Sequence, residues 1–478
     1  MEKAANGLLS LQGMRILLIF LIAALTAGAA QAQLPEPVAQ SLRTAGIPEN
    51  AVAFWSQALQ DGRQQSHRSS AMLNTASVMK LLTSYAALDL LGPAYSWKTE
   101  ALTDGPIRNG TLKGALILRG GGDPFLTWDR FGMLVRELRE RGLRRIEGDL
   151  VLDRSAFAAQ SPEDFDGKPA RAYNAQPDAL MVNFNAVTLR LQPVQQGVSA
   201  TATLPVAGLH IENRLALQAN APCTGWKNAV AARIEQDGET LQVTLPGRFP
   251  ASCGEKLLNL AAPDPARFTG NVFRALWQEL GGSFSGPVSE GPTPASAAPL
   301  ASWSSPPLAE ILRNQNKYSN NVMARHIFLT LAAGNGHSAS PENSIARIQA
   351  WMPNHGLDPA QWILENGSGL SRQERTSAAQ LGVLLLDAWR SPRMPDFVAS
   401  LPILGVDGTL HQRLSDTPLQ GRGYIKTGSL DGVKAAAGYL LDAKGQWRAF
   451  VWMVNHPKAE LSDPAFDALL KHLYQASP

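Results

Sequence analysis

The sequence predicts an α/β domain built from both ends of the chain and split by a large, mostly β insertion. Three observations predict it. Strand-like and helix-like patterns occur near both termini. Three short polar strings of chemical interest, Ser77-Val78-Met79-Lys80, Ser319-Asn320-Asn321 and Lys426-Thr427-Gly428, all lie in those outer parts, and each type of string occurs once. Finally, Lys80 and Ser319 are 239 positions apart, a detour that one domain does not need.

Residues 51–68 read as a hairpin: an apolar stretch from Ala51 to Trp55, a turn at Asp61-Gly62, then a polar strand. A helix follows. Ser77 opens it, Val78, Leu81, Leu82, Tyr85 and Leu88 recur at helical spacing, and Gly92-Pro93 stops it. In the insertion, Leu116–Leu118 and Asp149–Leu152 read as strands, Gly120-Gly121-Gly122-Asp123-Pro124 as a turn, and Phe131–Arg141 as a helix. A β-rich stretch punctuated by Pro and Gly covers 187–250, and the Gly/Pro/Ala-rich run 286–301 reads as a linker back. Leu308, Ile311 and Leu312 start a helix-like run before Ser319. Tyr424–Gly428 reads as a strand. Gly438–Leu441 and Trp447–Val454 flank a turn at Asp442–Gly445, and 463–474 is an amphipathic closing helix with Phe466, Leu469, Leu470 and Leu473 on one side. The expected organisation is 33–97 with 292–478 as one domain and 98–291 as an inserted module of two subdomains.

The 478 residues are 45% hydrophobic with a formal net charge of +3, enough to build real cores and too weakly basic to indicate nucleic acid. Lys3 and Arg15, the apolar run Ile16–Leu25 and the small-x-small step Ala30-Gln31-Ala32 read as a cleavable export signal over 1–32. The ten-residue run is too short to span a bilayer. Export places Cys223 and Cys253, the only cysteines, in an oxidising compartment, where one disulfide is expected. There is no Cys-x-x-Cys, His-Glu-x-x-His, Gly-x-Gly-x-x-Gly or P-loop string, so neither a metal nor a nucleotide is indicated and no cofactor is expected. The lack of Gly-x-Ser-x-Gly argues against an α/β-hydrolase.

The three strings carry complementary chemistry. A serine hydroxyl is a poor nucleophile until a base takes its proton. Lys80, three residues after Ser77, lies on the same helix face and can serve once its pKa is depressed. Ser319 can relay a proton, and the Asn321 amide can hold both the lysine and a substrate carbonyl. Lys426, Thr427 and Gly428 on an edge strand suit a peptide that pairs alongside and ends in a carboxylate, with Gly428 giving the substrate backbone room. The Ser429 N–H is a natural oxyanion donor beside that of Ser77. Alone, each string is also compatible with a helix cap, a polar turn or a strand end. His326 and His411 have no paired carboxylate string and read as structural.

Together the strings mark active-serine, penicillin-recognising enzymes. The chain resembles the D-alanyl-D-alanine carboxypeptidase/endopeptidases of the penicillin-binding protein 4 type over nearly its whole length after residue 32. Further matching strings are Gly120-Gly121-Gly122-Asp123-Pro124, Gly148–Asp153, Gly367-Ser368-Gly369-Leu370-Ser371-Arg372 and Gly405–Leu410. The resemblance implies a transpeptidase/β-lactamase-like domain, α/β (α+β) with a central antiparallel sheet flanked by helices, acting in the periplasm on peptidoglycan peptides and acylated by β-lactams. It implies Ser77 as acylated nucleophile, Lys80 as base, Ser319, Asn321 and Lys426 as the rest of the centre, and Thr427, Gly428 and Ser429 as substrate-binding. Asn320 and Asn366 stand where Asp is usual. A β-lactamase and an inactive peptidoglycan-binding scaffold are the rival readings. Oligomeric state and peripheral association with a membrane stay open.

Overall fold

The computed structural model describes residues 34–159, 165–333 and 338–475. The export signal read at 1–32 lies outside the described residues.

A five-stranded antiparallel sheet forms the centre. It comprises β1 (Val52–Ala58), β2 (Gln64–His67), β3 (Gly423–Leu430), β4 (Val433–Leu441) and β5 (Trp447–Asn455), in the order β2-β1-β5-β4-β3. Both ends of the chain therefore supply one sheet, with β1 pairing β5 from Val52↔Val454 to Ala58↔Arg448. Side chains alternate between two faces, both covered over the middle of the sheet, which is why β1, β4 and β5 are mainly apolar while the edge strands β2 and β3 carry polar residues. Ala53, Trp55, Ala437, Tyr439 and Val451 join one core, beneath α2 (Lys80–Leu90), α3 (Leu308–Lys317), α4 (Asn321–Thr330) and α5 (Ala378–Arg390). Val52, Phe54, Leu440, Phe450 and Trp452 join the other, beneath α1 (Glu36–Ala45) and α6 (Asp463–Gln475).

The chain leaves this domain after α2 and returns at α3, and the two crossing points are tied together. The Trp97 N–H donates to Ser305 Oγ at 2.9 Å and the Ser305 N–H to Trp97 O at 2.9 Å. Between them lies the inserted module. Its main sheet runs Val288–Glu290, Leu150–Asp153, Leu116–Gly120, Lys98–Thr103, Ala298–Ser304, packed by helices Trp128–Glu140 and Pro265–Glu279. This corrects the linker reading of 286–301. Val288–Glu290 pairs parallel to Leu150–Leu152, and Ala298–Ser304 pairs antiparallel to Lys98–Thr103, so residues 292–304 close the insertion's own sheet. Val288–Glu290 is only three residues long, Ala298–Ser304 carries Pro299 inside it, and the partners of both are distant in sequence, so no local periodicity marks them.

The β-rich part holds the sheets of Ala186–Val194, Gly197–Ala202 and Lys256–Ala261 and of Leu209–Asn213, Thr240–Leu245 and Arg233–Asp237. Cys223 and Cys253 are disulfide-bonded there, with Cα atoms 4.9 Å apart. Apolar residues of both parts of the insertion, such as Leu118, Val187, Val243 and Phe273, share one buried cluster.

Candidate active site

Ser77 sits in a 3-10 turn, Ala76–Met79, that leads into α2. Ala76 has φ 44°, left-handed for an L residue and worth about 1–2 kcal/mol of strain. Asn74 holds it there, its Oδ1 accepting from the Ala76 N–H at 2.8 Å, while the Asn74 N–H donates to Asn455 Oδ1 on β5 at 2.8 Å. One turn on, Lys80 is fully buried, whereas Ser77 is only partly so. The Lys80 Nζ donates to Ser77 Oγ at 3.0 Å, to Asn321 Oδ1 at 2.7 Å and to the Ser368 carbonyl. Burial, and next the nearby Lys426 charge, hold Lys80 well below the ordinary lysine range, with Glu374 opposing. A lysine with its pKa depressed in this way and set against a serine hydroxyl is placed to exchange a proton with it.

Ser319 follows α3 with φ 55°, a second left-handed non-glycine residue at the site. The following turn starts α4, whose N-cap is Asn320. Its side chain accepts from the Met323 N–H at 3.0 Å, a bond that Asp makes equally well, so this departure leaves the chemistry alone. Asn316, buried at the end of α3, donates to Ser84 Oγ on α2 at 3.0 Å and to Ser400 Oγ at 2.9 Å, fixing the Ser319 turn against the serine helix.

Lys426 differs from its expected setting. It lies on the edge strand β3, yet its side chain is fully buried and points inward. Its Nζ donates to Ser319 Oγ at 2.8 Å and to Thr427 O at 2.6 Å, and burial lowers its pKa to about 7. It supports Ser319 from behind and does not stand open at the strand edge. The setting of Gly428 also differs. A Cβ there would sit 2.6 Å from Thr75 O, 2.8 Å from Ser77 N and 3.0 Å from Ala76 Cβ. The residue is small because the Ser77 turn presses on β3, which leaves no gap for a substrate backbone on that face. Thr427 and the exposed Ser429 point to the opposite face, and Thr427 Oγ1 is 2.9 Å from Thr409 Oγ1.

The segment 366–374, of which Gly367–Arg372 was matched on sequence but given no role there, adjoins the centre. Glu374 is buried and accepts four backbone N–H groups, from Glu365 (3.0 Å), Asn366 (2.9 Å), Gly367 (2.8 Å) and Gly369 (2.8 Å). Burial raises its pKa and those bonds oppose the rise. The loop it gathers delivers Ser368 O to Lys80, and Thr83 of α2 donates to Gly367 O at 2.6 Å. Gly369, at φ 78°, lies so close to Ala76 O that a Cβ would overlap it. Asn366 accepts from the Ser368 N–H at 3.0 Å and donates to Leu370 O at 3.0 Å, a second bond that Asp at this place lacks.

The model of the D-Ala-D-Ala carboxypeptidase 3 (S13) family matches residues 34–472. The chain belongs to this family. It is 30% identical over 392 residues to a D-alanyl-D-alanine carboxypeptidase of Actinomadura, covering 78% of this chain and 71% of that one. Its structure is similar to penicillin-binding protein 4 of Haemophilus influenzae, with a TM-score of 0.75 at 25% identity over 92% of this chain and 99% of that one. The same protein in complex with a β-lactam gives 0.73. This S13 carboxypeptidase is a serine-type hydrolase with the mixed α/β architecture and β-rich insertion expected from its sequence. Within it, Ser77, Lys80, Ser319, Asn321 and Lys426 converge on one centre, with Thr427, Gly428 and Ser429 along its edge, while Cys223 and Cys253 belong to the insertion. His326 is buried between Val322 O (2.8 Å) and Asp178 O (2.9 Å), tying α4 to the insertion, and His411 bonds the Gly408 carbonyl. Among the described residues, no group of His, Cys, Asp and Glu is arranged to hold a metal ion.

Proposed function

We propose that this carboxypeptidase removes the terminal D-Ala of peptidoglycan peptides, and opens D-Ala cross-links, through an acyl-enzyme on Ser77 in the periplasm. The observation that carries the reading is the fully buried Lys80 amine, 3.0 Å from Ser77 Oγ and 2.7 Å from Asn321 Oδ1.

Neutral Lys80 takes the Ser77 proton as Oγ attacks the carbonyl of the penultimate D-Ala. The N–H groups of Ser77 and Ser429 receive the oxyanion, Ser77 N being packed against Gly428 next door. Asn321 orients Lys80 and the substrate amide. Ser319, backed by the Lys426 charge, passes a proton to the leaving amine, which departs as free D-Ala. Water then attacks the Ser77 ester, with Lys80 again taking a proton, and restores the hydroxyl. The leaving residue of a cross-link is also a D-amino-acid centre, so the same machinery serves both cleavages. β-Lactams acylate the same oxygen. Periplasmic location is supported by the substrate class and by the export signal read at 1–32. No helix among the described residues is long and apolar enough to cross a membrane.

The test is digestion of purified muropeptides by wild type and Ser77→Ala, followed by mass spectrometry. Wild type is expected to release D-Ala and to convert cross-linked dimers to monomers, and the variant to do neither. D-Ala release by Ser77→Ala at the wild-type rate would overturn the mechanism. Intact dimers beside trimmed monomers would remove the endopeptidase part alone.

A further inference from the structure

The inward turn of Lys426 leaves the substrate's terminal carboxylate without the cation expected for it. The strand register shows where another is. In an antiparallel pair, residues directly opposite share a face. Thr427 faces Ala436, which faces Trp452, and Ser429 faces Lys434. Thr427, Ser429 and Lys434 therefore stand on one side of the sheet, and Lys426 and Gly428 on the other.

On that side lies a cavity of about 210 Å³ lined by Thr409, Thr427, Ser429, Arg413, Lys434 and Trp452, among others. Its chemistry suits an anion. Its lining carries four hydroxyl residues, Thr409, Thr427, Ser429 and Ser462, and two cations, and its one carboxylate, Asp463, is paired with Arg413. The indole N–H of Trp452, 1% exposed, has no hydrogen-bond partner, and its ring lines the same cavity. The two cations differ in how they are held. Arg413 is clamped by Asp463 at 2.8 Å and Asp467 at 3.4 Å and lies over the Phe466 ring. Lys434 reaches Asp463 only at 4.0 Å, and that carboxylate is already engaged by Arg413. Lys434 is thus the cation with attraction to spare, at the start of β4 and opposite Ser429 near the end of β3, the strand beside which the substrate terminates.

We infer that Lys434 is a specificity residue that binds the α-carboxylate of the leaving D-amino acid, together with the Thr427 and Ser429 hydroxyls, in this cavity on the far face of β3. The inference rests on the acyl-serine reading above and names its leaving-group site. Arg413, pinned by two carboxylates, positions the wall of the site. Lys426 has no part in carboxylate binding.

The experiment compares wild type, Lys434→Gln and Lys434→Arg on a peptide ending in free D-Ala-D-Ala and on its C-terminal amide. Lys434 is partly exposed, so its charge-assisted contact is of the moderate kind. Lys434→Gln is expected to lower kcat/KM for the free peptide about tenfold and to change it for the amide by less than about twofold. Lys434→Arg should recover most of the loss. The amide serves as the folding control, since a damaged protein loses both substrates. If wild type releases no D-Ala from the free peptide, the acyl-serine function fails and this assignment falls with it. If wild type turns over but Lys434→Gln loses nothing, or loses equally on both substrates, the carboxylate site alone is overturned.

Discussion

Two lysines share one buried chamber, and their charges work on each other. The Lys426 charge is the second cause, after burial, that lowers the Lys80 pKa. Removing it should let Lys80 hold its proton to higher pH. Lys426→Met is therefore expected to move the rising limb of the pH profile for penicillin acylation to higher pH. The sign follows from the base: acylation needs neutral Lys80, so a higher Lys80 pKa postpones activity to higher pH. Stopped-flow acylation rates from pH 5 to 9 would show this, and an unmoved limb would mean that burial alone sets the Lys80 pKa. The contact of Lys80 with Ser77 was legible in the sequence because side chains three positions apart share a helix face. The inward direction of Lys426 was not, since strand alternation gives two faces without saying which one the Ser77 turn covers. Gly428 carried the same ambiguity: a glycine in a strand signals close approach but does not name what approaches, here Thr75 and Ser77 rather than a substrate.

The element that the sequence did not reveal is the loop 365–374. Ser368 acts through its carbonyl and Glu374 through four backbone N–H groups, and neither use leaves a spacing pattern. The one available hint was a lone carboxylate just after a glycine-rich string. Because Glu374 is buried, Glu374→Gln turns an amide NH₂ toward N–H donors. It is expected to cost about 3 kcal/mol in denaturant unfolding and to slow acylation as Ser368 O withdraws from Lys80. An unchanged midpoint with an unchanged acylation rate would show that the loop holds itself. By contrast, the hairpin of β4 and β5 and the closing helix α6 were legible, since their apolar positions repeat at the periods of strand and helix. Val288–Glu290 and Ala298–Ser304 were not, because their signal is a distant partner.

At the scale of the whole molecule, the insertion occupies a break that the fold has already closed. Trp97 and Ser305 bond each other at the crossing, so a long module is accommodated with little extra ordering at its ends. It also touches the catalytic domain near the site, through Asp178 on His326 and Phe157 beside Ala339. The two outer segments meet at one centre, where Ser77 comes from the first and Ser319, Asn321 and Lys426 from the second. That convergence has a chemical consequence that one measurement reads directly. After brief exposure to penicillin, peptide mapping of the intact protein should find the adduct on Ser77, stable for minutes, with none in Lys80→Met. An adduct on any other residue, or release of hydrolysed penicillin within seconds, would contradict an acyl-serine carboxypeptidase and favour a β-lactamase.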